Sequence, residues 1–155
     1  MQTYQVEQRT FEDRVREVRR QPRLRIGERV MRREIRGPED VVAAWPELAT
    51  ADREVFGVLL CDARHTATRR TMVSVGSLNA SIVHPREVFR TAILYSAAAI
   101  VLTHNHPSGD PEPSEEDLSI TRRLVSGGDL IGIGVLDHVI IGKRGIVSFR
   151  ARNLL

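Results

Sequence analysis

Two histidines stand two residues apart, at His104 and His106, and a Ser-x-x-Asp pair, Ser114 and Asp117, follows after seven intervening residues. Imidazole nitrogens and carboxylate oxygens are ligands for a divalent cation. Two neutral imidazoles and one carboxylate on zinc leave a fourth tetrahedral position to water, and that open position distinguishes a catalytic site from a structural one. The spacer holds Pro107, Gly109, Pro111 and Pro113, which demand a sharp loop. Metal-assisted hydrolysis also needs a base to take a proton from the bound water. Glu54, a carboxylate heading an apolar run, is the candidate; an exposed strand-end acid is the plainer reading. Glu87 is its rival, but Arg86-Glu87 in the first turn of a helix is explained by capping.

Elements of defined type must position these groups. The apolar run Ala97 to Leu102 reads as a buried strand; if it continues to His106, both imidazoles leave one face, because side chains alternate with period two. Ser114 heads a polar helix running to about Ser126 and ended by Gly127-Gly128. Ser-x-x-Asp before Leu118 and Ile120 is also a helix N-cap pattern, and a cap of that geometry would aim Asp117 at the loop. Glu54 to Cys61 is a strand apolar on both faces, Asp62 to Thr68 a polar turn, and Arg69 to Val75 its hairpin partner. A helix opens at His84-Pro85 and runs to about Ser96, and Ile131 to Ile141 and Ile146 to Arg150 form a second hairpin. Strands alternating with helices predict a mixed α/β (α+β) domain. Of the remaining candidates, His84 reads as a cap, His65 as an exposed turn residue and Cys61 as a core thiol. Asp137 and His138 interrupt an apolar strand, either as a buried hydrogen-bonded pair or as partners behind the metal ligands.

Composition narrows the class. The 155 residues suit one domain, with 41% apolar and 28% charged residues, and no apolar run approaches the ~20 residues of a membrane span. A polar N-terminus without an apolar signal core and a single cysteine predict a cytoplasmic protein without disulfides. Residues 1–36 carry 11 Arg against 6 Asp/Glu, so this stretch is read as a basic arm, with residues 37–155 as the domain. The arm predicts a helix over 1–20, interrupted at Pro22, and an extended stretch over 23–36. Its net +5 leaves −2 for the rest of the chain, whose total is +3. Such an arm could make weak nucleic-acid contacts, or it could be a solvated element laced with ion pairs. Gly37-Pro38-Glu39-Asp40 opens a helix that stops before Pro46 and joins arm to domain.

His104-x-His106, seven residues, then Ser114-x-x-Asp117, resembles the JAMM signature of the JAB/MPN metalloproteases. HNHPSGDPEPSEED, preceded by GSLNASIVHPREVFRTAI and followed by DHVII, is similar to the RadC family of JAMM proteins over roughly residues 38–150. The resemblance implies a JAB/MPN-like fold, a cytidine-deaminase-like three-layer mixed sheet flanked by helices. It implies one zinc ion on His104, His106 and Asp117 with water as fourth ligand, Glu54 as general base, and Ser114 as donor to a developing oxyanion. The chain reads as a short form without the N-terminal helix-hairpin-helix region of full-length members. The expected activity is cleavage of a peptide or isopeptide bond in a peptide or protein substrate, with a homodimer as one assembly open to it. The alternative is a non-enzymatic module of the same fold that binds DNA or a repair partner. Other metal-site readings fail on residues: the spaced letters of an HNH nuclease, the His-x-Glu and Pro-Cys-x-x-Cys of a nucleobase deaminase and the His-Glu-x-x-His of a zincin are absent.

Overall fold

The structure, a computed structural model, describes residues 27–76 and 83–155; the helix expected over 1–20 lies outside the described residues. Strand β1 (Glu28–Glu34) is followed by helix α1 (Pro38–Ala44) and a 3₁₀ turn (Pro46–Thr50). Then come β2 (Val55–Cys61), β3 (Thr66–Val75), α2 (Pro85–Leu94) and β4 (Ala99–Asn105). The chain continues through α3 (Glu115–Ile131), β5 (Gly134–Gly142) and β6 (Gly145–Ser148). The described strands form one six-stranded sheet in the order β1-β3-β2-β4-β5-β6. Only β4 and β5 pair in parallel, with α3 as the crossover between them, and the other pairings are antiparallel.

Alternation along the central strands builds two apolar layers. β2 and β4 are buried at every position. Val55, Leu59, Cys61, Ala99 and Val101 pack with Val41, Trp45 and Leu48 from α1 and the 3₁₀ turn. Phe56, Val58, Leu60, Ile100 and Leu102 pack on the other face with Val88, Phe89, Ile120 and Leu124 from α2 and α3. The result is the expected arrangement, a mixed sheet between two helical layers. His104 shares the face of Ile100 and Leu102, so the candidate chemistry lies on the α3 side. Cys61 belongs to the core, and burial pushes its thiol up to about 12.

Strand β1 falls within the stretch read as a basic arm and is the edge of the sheet, paired with β3. It packs on the core through Val30 and, just beyond its end, Ile35. Its arginines are interleaved with acids: Arg32 pairs with Asp62 at 2.7 Å and Arg33 with Asp40 at 3.2 Å. Just past its end, Arg36 pairs with Glu34 at 2.6 Å. Exposed pairs of this kind contribute little to stability.

Helix α3 departs from expectation. It does not stop at Gly127-Gly128; it runs on to Ile131, so Ile131 is helical and β5 begins only at Gly134. The left-handed residue that ends the helix is Gly132, at φ +75°. The earlier glycines serve close packing instead. A Cβ on Gly128 would sit 2.4 Å from the Ile133 carbonyl oxygen and 3.3 Å from the Phe89 ring. Sequence reasoning read glycines as a stop where the requirement was an approach without side chains. β3 also starts earlier than expected, at Thr66, because Asp62 closes the turn by accepting from Arg64 N and Thr66 N.

In an ordinary helix interior, Gly→Ala gains up to about 1 kcal/mol. Here overpacking dominates, and Gly128→Ala is expected to destabilise the domain by about 1–3 kcal/mol. Denaturant unfolding measures this directly; a raised midpoint would contradict the packing assigned to Gly128.

Candidate metal centre

The centre starts from register. Phe56 on β2 is paired with His104 on β4 in an antiparallel ladder. Continuing that ladder brings Glu54, just before β2, opposite His106, just after β4. His106 keeps the extended alternation because its N–H donates to Ile141 O at 2.9 Å, so its ring leaves the same face as that of His104. The two Nε2 atoms lie 2.9 Å apart. The ligand-type atoms of Glu54, His104 and His106 all fall within 4.8 Å of one another.

Asp117 arrives from α3 by the capping geometry. Ser114 Oγ accepts from Asp117 N at 3.1 Å, and an Asp117 carboxylate oxygen accepts from Ser114 N at 2.8 Å. This reciprocal cap holds the carboxylate with Oδ1 3.2 Å from His104 Nε2 and Oδ2 3.4 Å from His106 Nε2. The cap and the site are therefore one structure. The cap uses Ser114 as an acceptor on its oxygen, which leaves the hydroxyl proton to be donated elsewhere.

The donor set suits a cation. Ligands about 2.0–2.1 Å from a tetrahedral ion stand roughly 3.3 Å from one another. The two imidazole nitrogens stand 2.9 Å apart, and each faces its own Asp117 oxygen, Oδ1 at 3.2 Å from His104 and Oδ2 at 3.4 Å from His106. His106 Nδ1 lies 2.7 Å from the Asp110 carbonyl, which can only accept, so Nδ1 carries the hydrogen and the neutral ring turns a lone pair inward. The loop that places this carbonyl is tight: Gly109, at φ +91°, donates its N–H to His106 O and accepts from Arg144 N.

The Asp117 carboxylate, then the Asp110 carbonyl, hold His106 above the ordinary imidazole range against the opposing effect of burial. Burial alone would push the Asp117 carboxyl up; hydrogen bonding to His104 and His106 outweighs it and holds the group far below the usual range. Behind the centre, His104 Nδ1 is 2.8 Å from His138 Nε2, and His138 Nδ1 is 2.6 Å from Thr121 Oγ. Complete burial, then the neighbouring His104, drive His138 well below the ordinary range, so its ring stays neutral.

Asn105, between the two histidines, secures the segment that carries Glu54. Its Oδ1 accepts from Val55 N at 2.8 Å, and its Nδ2 donates to Arg53 O at 2.9 Å and to Ala51 O at 3.4 Å. The backbone on both sides of Glu54 is thereby tied to β4. Glu54, His106, Ser108, Ser114, Glu116 and Asp117 line an open cleft of about 350 Å³, with His104 fully buried behind it.

The structure brings Glu54, His104, His106, Ser114 and Asp117 together. Other candidates stand apart. His84 caps α2 by accepting from Arg86 N, and His65 sits in a turn at φ +58°. Glu87 pairs with Arg90 on α2. Asp137 is a structural acceptor for His138 N, Ser148 Oγ and Arg150 N. Sequence reasoning missed Thr121 and Asn105. Thr121 carries a signal in hindsight, one turn beyond Asp117 on the same helix face.

A family model described as a RadC-like JAB domain matches residues 35–154. A "UPF0758 protein" of Syntrophomonas wolfei is 50% identical over 135 residues, covering 84% of this chain and 57% of the relative. The namesake of Alkaliphilus oremlandii is 48% identical over 134 residues (86% and 58%), and that of Methanosarcina acetivorans 49% over 120 residues (77% and 52%). The chain thus spans little more than half the length of the curated relatives it matches.

Asn105→Ala leaves the buried Val55 N–H without its acceptor, and the expected cost is about 1–3 kcal/mol in denaturant unfolding. Asn105→Asp, which turns the donor facing two carbonyls into an acceptor, is expected to cost at least as much. Unchanged midpoints in both would remove the clamp from this account.

Proposed function

The chain belongs to the RadC-like JAB domain family, and on that premise we propose that it is a zinc-dependent hydrolase cleaving a peptide or isopeptide bond. The observation that carries this reading is the triangle of His104 Nε2, His106 Nε2 and the Asp117 carboxylate, with Glu54 beside it and an open cleft in front. These three residues would hold the ion and water would complete the set. A zinc ion held there supplies a Lewis acid that polarises a carbonyl and acidifies a water.

The chain's own groups supply the rest. Glu54, at the cleft wall, takes the proton from the attacking water and returns it to the leaving amine. Ser114 donates its uncommitted hydroxyl hydrogen to the oxygen of the scissile carbonyl as negative charge develops there. The capped start of α3 adds the favourable end of a helix dipole to the same corner. No described helix is long and apolar enough to cross a membrane. The arginines of the described part of the basic stretch are largely engaged in ion pairs, which weighs against reading that strand as a nucleic-acid surface.

Metal analysis of the purified chain is expected to find zinc near equimolar, and His104→Ala or Asp117→Ala to lose it. Zinc needs neutral imidazoles, and His106 binds its proton more tightly than usual. Apparent affinity should therefore fall as pH drops through the raised His106 value and recover above it, in a chelator-competition titration from about pH 5 to about pH 8. Flat affinity across that range would contradict His106 as a ligand.

In a peptide-library assay of the zinc-loaded chain, Glu54→Gln is expected to keep the metal and lose about 10²–10⁴-fold in rate. Zinc-loaded wild type that cleaves no faster than Glu54→Gln would overturn the hydrolase reading in favour of a binding module of the same fold.

A further inference from the structure

We propose that His138 and Thr121 form a support that locks His104 as its Nδ1–H tautomer and so presents a bare Nε2 to the cation. The inference rests on the metal-site reading above and adds to it the two residues that prepare one ligand. Both are almost completely buried, on elements that hold different parts of the site. Thr121 lies one turn after Asp117 on α3; His138 lies on β5, paired with Leu102 of β4. The His138 ring is wedged between Phe149, 4.6 Å away between centroids, and the edge of Phe56 at 5.6 Å. The position of each hydrogen follows from what its partners can accept.

Thr121 Oγ is 2.6 Å from the Asp117 carbonyl oxygen and 2.6 Å from His138 Nδ1. The hydroxyl has one hydrogen and the carbonyl has none. Were that hydrogen given to His138, two oxygens would face each other at 2.6 Å with nothing between them. The hydroxyl therefore donates to the carbonyl one turn back, a common bond for threonine in helices. The contact with His138 then needs a hydrogen from the ring, on Nδ1. A neutral imidazole carries one N–H, so His138 Nε2 is an acceptor. Its neighbour at 2.8 Å, His104 Nδ1, must be the donor, and His104 Nε2 is left with its lone pair toward Asp117 and His106.

Asp117 and His104 are thereby joined at both ends. Their side chains meet at the centre, and their far sides are tied through Thr121 and His138. Partners of this kind fix the orientation and tautomer of a metal-binding imidazole, and their loss typically weakens metal affinity about 10–100-fold.

The test uses the full chain. Zinc affinity is measured by chelator competition for wild type, His138→Leu, His138→Gln and Thr121→Val, and two-bond ¹H–¹⁵N spectra of the metal-free wild type report which ring nitrogens carry hydrogen. His138→Leu and Thr121→Val are expected to bind zinc about 10–100-fold more weakly. His138→Gln should recover most of that loss, because its amide oxygen can accept from His104 and its NH₂ can donate to Thr121. The spectra should show hydrogen on Nδ1 and a bare Nε2 at both His104 and His138. Hydrogen on His138 Nε2, or wild-type affinity in both His138→Leu and Thr121→Val, would overturn the proposal. If His138→Leu does not fold, Thr121→Val and the wild-type spectra decide it. Wild type that binds no zinc at all would sink the hydrolase reading, while the spectra would still decide the tautomer.

Discussion

A buried carboxylate from a helix and two imidazoles from a neighbouring strand meet with their electron-rich atoms 2.9–3.4 Å apart. Such groups repel unless something positive lies among them, and most of the local structure serves to hold them there regardless. The parallel β4–β5 pair makes α3 a crossover, and the crossover returns the chain with its N-terminus over the end of β4. The reciprocal cap of Ser114 and Asp117 then sets the direction of the carboxylate. Asp110 O on one imidazole and His138 on the other occupy the nitrogens that face away.

The sheet contributes rigidity where the chemistry needs it. β2 and β4 are covered on both faces, and at roughly 1.5–3 kcal/mol per fully buried large side chain a slip in their register would be costly. That register sets Glu54 opposite His106, just past the end of β4, and within reach of His104. Asn105 reinforces it with bonds that only a side-chain amide can make, accepting on one atom and donating on the other. Exposure increases from His104 to His106 to the cleft mouth, so Glu54 stands where water can enter and the His104 ring where it cannot.

Much of this was legible in the residues. The period-two spacing of His104 and His106, the Pro/Gly loop, the Ser-x-x-Asp cap and the apolar runs of the central strands are local signals, and the structure agrees with each. What was not legible depended on contacts between distant segments. Gly127-Gly128 has the composition of a helix end, yet Phe89 and Ile133 make it a packing site, and neither neighbour is visible from the pair itself. Asp137-His138 left two readings open, a buried pair or partners behind the centre, and its members divide between tasks: Asp137 braces the β5–β6 end, and His138 reaches the centre. Thr121 had no sequence signal apart from its spacing to Asp117, because a threonine in a helix is ordinarily unremarked.

The most direct test of the central claim is anomalous diffraction at the zinc edge from crystals of the chain grown with zinc. The account predicts one strong peak bounded by His104 Nε2, His106 Nε2 and the Asp117 carboxylate, about 2.0–2.2 Å from each, with its remaining ligand a solvent molecule toward Glu54. A peak elsewhere, or three side chains turned away from an ion held by other groups, would contradict it.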